Sequence, residues 1–113
     1  MILLPGEKSH VIHRRLFEKD LRKHFVGEVE HYDNGMIRET GFLFVIDDPK
    51  ENVFRKKPGK CTAVISISSG ATYVNVLPAD VDLDRIRYET RGRELCVTDG
   101  GEWSLEIKEF GWA

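Results

Sequence analysis

Apolar residues near the start of the chain recur at helical spacing. Phe17, Leu21 and Phe25 stand four apart and make one stripe, which Ile12 and Leu16 widen to one side. Most positions between them are charged. Ser9 suits an N-cap, so the pattern predicts an amphipathic helix over 10–24, within a segment 9–25, behind a short loose arm, 1–8. From residue 26 the period shortens. Residues 26–32 read as a strand, and Asp33-Asn34-Gly35 follows. Asn-Gly is the strongest short hairpin signal, because a type I′ turn needs positive φ at two successive residues. The return strand spans 36–46. Gly41 in its middle predicts a bend or bulge. The run Phe42-Leu43-Phe44-Val45-Ile46 is apolar at every position, which places this strand centrally.

A polar loop, 47–60, carries Pro49, Pro58 and Gly59. Strands are then predicted over 62–68, 71–77, 83–90, 93–98 and 102–109, parted by Ser69-Gly70, Pro78, Arg91-Gly92 and Asp99-Gly100-Gly101. The last alternates, with Trp103, Leu105 and Ile107 inward and Ser104, Glu106 and Lys108 outward. About seven short strands at this spacing predict a mostly β fold: an N-terminal α-helix, then a small bent antiparallel β-barrel over 26–109, with an extra hairpin from about residue 91 to 109. Strands and helices do not alternate, which argues against a parallel sheet. Phe110 and Trp112 end the chain in a tail, 110–113.

Composition narrows this picture. With 113 residues, 41% hydrophobic and 32% charged, the chain suits one globular domain that needs no disulfide or metal to fold. Its longest apolar run is too short to span a bilayer, and Met1-Ile2-Leu3-Leu4 is too short for a signal-peptide core. The chain therefore reads as cytoplasmic, with no membrane partner. Cys61 and Cys96 match no zinc or redox spacing and are expected as reduced thiols, at least partly buried.

The net charge of −2 predicts neither a nucleic-acid nor a membrane partner. Local charge is uneven. Arg14, Arg15, Arg22 and Lys23 make the first segment basic, and Arg55, Lys56 and Lys57 make a basic loop. Such patches can meet phosphate, although most are simply solvated faces.

Little else resembles chemistry. His10 and His13 would share a helix face but lack further metal ligands. Asp80, Asp82 and Asp84 alternate like the start of a calcium loop, yet Arg85 and Arg91 fill the positions that need Gly and Glu. Ser66, Ser68 and Ser69 lie in no nucleophile elbow. No nucleophile, base and orienting group assemble, so neither catalysis nor a cofactor is expected.

Val26, Val29, Asn34-Gly35, Gly41, Leu43, Ile46, Asp47 and Asn52 fall in an order that resembles the first motif of the Sm-like family. The similarity covers about residues 11–83. It implies an N-terminal helix on a strongly bent five-stranded barrel of SH3-like kind. A small barrel of this kind often closes its remaining edges by pairing with neighbours, so a homo-oligomer such as a ring is expected. The resemblance also implies single-stranded RNA as partner, with Asp47 and Asn52 holding a base. On that reading Arg14, Arg15, Arg22 and Lys23 on the helix, or Arg55, Lys56 and Lys57 on the loop, meet phosphates, and Tyr32, Phe54 or another exposed aromatic stacks a base. The family's second motif ends in a basic pair such as Arg-Gly, which Tyr73-Val74-Asn75-Val76-Leu77-Pro78 lacks. Arg14-Arg15 with Ser66-Ile67-Ser68-Ser69-Gly70 loosely resembles PilZ domains, which bind cyclic dinucleotides. The alternative to both is a non-enzymatic structural or interaction module working through an exposed edge strand or the Phe110/Trp112 tail.

Overall fold

A computed structural model describes residues 3–13, 22–46, 54–68, 70–92 and 94–107. The described residues are mostly strand: β1 Lys8–His13, β2 Arg22–Asp33, β3 Met36–Ile46, β4 Arg55–Lys56, β5 Cys61–Ser66, β6 Thr72–Leu77, β7 Arg87–Arg91, β8 Glu94–Thr98 and β9 Ser104–Glu106. One 3-10 turn, Leu83–Arg85, precedes β7.

The predicted helix over 10–24 is not found. Its first residues lie in β1 and its last in β2, and these two strands pair antiparallel from Lys8↔Glu28 to His13↔Lys23. Residues 14–21 lie outside the described residues. The physical reason is burial on both sides. β1 is central, between β2 and β6, and Ser9 to Ile12 are all buried. Such a strand has no alternation to read, and its β-branched pair Val11-Ile12 favours extended backbone. The arm is not loose either. Gly6 N donates to Val29 O at 2.8 Å, Val29 N donates to Glu7 O at 2.7 Å, and Leu3 is buried with Val29 and Ile37.

The β2–β3 hairpin turns at Asn34-Gly35, with φ of 48° and 75°, as the type I′ turn requires. Its bend lies where Gly27 faces Gly41. A Cβ on Gly41 would stand 2.1 Å from Val26 O, and one on Gly27 2.6 Å from Thr40 O, so neither backbone leaves room for a side chain. The bulge sits elsewhere, between Val29 and His31.

The larger sheet runs β4–β3–β2–β1–β6, with β5 also on β3. β4 pairs with the end of β3 and β5 with its beginning. The sheet curls into a roll whose inner face carries Val11, Phe25, Ile65 and Val74. It does not close into the expected barrel, and strand parity gives the reason. Along β5–β3–β2–β1–β6 every neighbour is antiparallel, so with five strands the two end strands run the same way. Parallel pairing needs a crossover of a dozen or more residues. Only residues 67–71 join β5 to β6. Among the described residues the roll stays open along a seam between them.

The outer face of the roll packs against a second sheet, β7–β8–β9, rather than a lone added hairpin. Val26, Phe42, Phe44 and Leu77 meet Tyr88, Leu95 and Val97 there, with Trp103 and Leu105 partly buried against them. Val81 is buried between the sheets and Leu83 is partly buried against the same cluster. Among the described residues no helix is long and apolar enough to cross a membrane.

Candidate functional site

The seam is bordered by two strands of unusual composition. β5 reads Cys-Thr-Ala-Val-Ile-Ser and β6 reads Thr-Tyr-Val-Asn-Val-Leu, without one charge or proline. Charges and prolines are the usual means of blunting a sheet edge. Three large apolar side chains on these strands face solvent: Val64 at 59% exposure, Tyr73 at 57% and Val76 at 54%. Both cysteines are free; Cys96 is buried as expected, but Cys61, at the start of the edge strand β5, is exposed rather than partly buried.

The second feature is a buried polar cluster between the sheets. Helical spacing pairs His10 with His13. In a strand, residues three apart face opposite ways, and His10 instead meets His24 of β2 and Tyr88 of β7. His10 Nε2 lies 3.0 Å from His24 Nδ1 and 3.0 Å from Tyr88 Oη, which is 2.7 Å from His24 Nδ1. Asn75 Nδ2 lies 3.2 Å from His10 Nδ1. With Asn75 donating there, the His10 proton sits on Nε2 and the Tyr88 hydroxyl donates to His24. The chain of bonds is then satisfied with both imidazoles neutral. Burial first, and the neighbouring His24 second, hold His10 down to about 3. The Phe54 ring stacks on His24 at 4.1 Å and on Tyr88 at 4.6 Å. These bonds clamp β1, β2, β6 and β7 together. Among the described residues no three His, Cys, Asp or Glu converge as metal ligands.

The third feature is a basic rim at one end of the larger sheet. Register places His13, Lys23, Val45 and Arg55 in one row across four strands. At roughly 4.8 Å per strand, Lys23 and Arg55 stand about 10 Å apart on one face. Burial, then Lys23, then His24 lower the His13 imidazole below its ordinary value. Arg22 opens β2 opposite Ile46. Lys56 turns to the other face, its ammonium 3.9 Å from the Phe42 ring centre. Lys57 follows, exposed, its amide bonded to Leu43 O at 2.8 Å.

The structure thus gathers Arg22, Lys23 and Arg55 at one end, with Lys56 and Lys57 beside them. Arg14, Arg15, Asp47 and Asn52 lie outside the described residues, as do Phe110 and Trp112. Neither expected stacking residue is fully exposed. Phe54 is a core residue at 5% exposure, and Tyr32 is half-buried against the cluster of Leu3, Val29 and Ile37. Asp82 caps the 3-10 turn by accepting from Asp84 N at 3.1 Å, and Asp99 accepts from Asp82 N at 3.0 Å. Sequence reading missed the His10–His24–Tyr88 cluster, because its members are brought together only by pairing across sheets.

Comparison with protein-family models, curated proteins and solved structures finds no match to this chain.

Proposed function

We propose that this chain is a non-enzymatic interaction module that associates with copies of itself through the free edges of β5 and β6. The observation that carries the reading is the pair of uncharged, proline-free edge strands with Val64, Tyr73 and Val76 exposed. Unpaired backbone beside apolar side chains is a template for strand addition. The two edges differ, so pairing β5 of one copy with β6 of the next is a head-to-tail contact. Such contacts close into rings when the rotation allows, in keeping with the resemblance to Sm-like proteins. Size-exclusion chromatography with light scattering tests it. The expected result is a discrete oligomer that Val64→Lys with Val76→Lys reduces to a folded monomer. A wild-type monomer at high concentration refutes the reading.

A second reading rests on the basic rim. The row of His13, Lys23 and Arg55, with Arg22 beside it, suits a phosphate backbone, and single-stranded RNA is the polyanion proposed. Binding should weaken steeply as salt rises, and Lys23→Glu with Arg55→Glu should reduce it. Fluorescence anisotropy with a labelled single-stranded RNA measures this, and no binding even at low salt removes the reading.

A further inference from the structure

Inside the roll, one ionisable group stands apart from the features above. Glu39, on β3, is wholly buried on the inner face. The paired glycines explain how it fits. Ser9, Gly27 and Gly41 share one row, so no side chain stands between the Glu39 carboxyl and Ser9. Ser9 Oγ donates to Glu39 Oε1 across that gap, tying β3 to β1 over β2. Among the described residues Oε2 has no partner.

The neighbours on that face bring no compensating charge. β1 offers Ser9 and Val11, and β2 offers Phe25, Gly27, Val29 and, past the bulge, the Tyr32 phenol. β5 offers Ala63, Ile65 and the Cys61 thiol at its exposed end, and β6 offers Val74 and Val76. Lys8 and Glu28 face the other way. Lys57, opposite Leu43 and exposed, shares the inner face four residues along β3, about 13 Å away. His13, Lys23 and Arg55 follow at six residues, about 20 Å away at 3.3 Å per residue.

We infer that Glu39 is a proton-operated latch on the open roll: protonated, it lies neutral beneath the seam, and ionised, it draws water in between β5 and β6 and loosens those strands. A buried carboxylate without a partner is costly, and the roll has one unpaired side through which water can reach it. Burial raises the Glu39 carboxyl to about 7, against the smaller opposing effect of the Ser9 hydrogen bond, so the latch works near neutral pH. The inference is independent of self-association.

Hydrogen exchange on the full chain across a pH series, corrected for intrinsic exchange, tests it. Protection of β5 and β6 amides is expected to fall roughly tenfold or more from pH 6 to 8, while β7 and β8 stay level. In Glu39→Gln the β5 and β6 values should stay level too. Equal loss in all strands, or the same loss in Glu39→Gln, overturns the latch. Should that variant not fold, the wild-type Glu39 carboxyl carbon is followed by NMR. A midpoint near 7, moving with the Val76 amide, supports the latch, and a midpoint of 5 or below overturns it.

Discussion

Two buried side chains set opposite pH slopes on this fold. Glu39 holds its proton more tightly folded than unfolded, its pKa rising from 4.5 to about 7. Its stabilising contribution is full below about pH 4.5 and is lost as pH rises to about 7. His10 falls from 6.5 to about 3, so its contribution is full above pH 6.5 and is lost as pH drops toward 3. His13 is lowered as well and adds to the His10 slope. Between pH 4.5 and 6.5 the two residues oppose each other. Glu39→Gln removes one side of that opposition, so its stability should climb with pH through this window more steeply than the wild type's. Urea denaturation at a series of pH values measures the slopes, and parallel curves for the two proteins would count against the assignment.

Elements differed in how far the sequence disclosed them. The β2–β3 hairpin was legible because Asn34-Gly35 demands positive φ, and the inward set Trp103, Leu105 and Ile107 was legible because β9 has one wet face. The opening segment was not. His10 to Ile12 are buried on both faces, so period-two contrast is absent, and Phe25, read as the end of a helical stripe, lies in β2 opposite Val11 and Leu43. The seam was hidden for another reason: strand parity and link length show only once the pairing is known. The polar cluster was hidden likewise, since His24 and Tyr88 lie 64 residues apart. Gly41 was read as a bend, and its role as one is testable. Gly41→Ala puts a Cβ against Val26 O, and overpacking of this kind costs about 3 kcal/mol. Chemical denaturation should show a loss of that order. A loss below about 0.5 kcal/mol would mean that β2 and β3 can part at little cost.

At the scale of the whole molecule, charge and edge are kept apart. The basic residues Arg22, Lys23 and Arg55 cluster where β2 starts and β3 ends. The far end of the same hairpin carries Glu28, Glu30 and Asp33, with only Arg38 among them, paired to Glu30 at 3.3 Å. The uncharged strands β5 and β6 border the seam. The rim row reaches the seam at Thr72 of β6, opposite His13, while Lys23 and Arg55 lie two and four strands from that edge, so the two proposed contacts can coexist. If both proposals hold, Lys23→Glu with Arg55→Glu should reduce RNA binding without changing the solution mass.

The position of β1 bears on how the chain is made. Its register partners include Leu77 opposite Lys8. On a ribosome, β1, β2 and β3 can pair as soon as residue 46 has emerged, but β1 keeps one bare edge until β6 follows roughly thirty residues later. At about 5–20 residues per second that is a wait of roughly 2–6 seconds. Throughout it, the strand holding Val11 and Ile12 is available to any other nascent chain nearby. Slowing elongation while residues 47–77 emerge should therefore raise the yield of aggregated product, while slowing it after residue 77 has emerged should not.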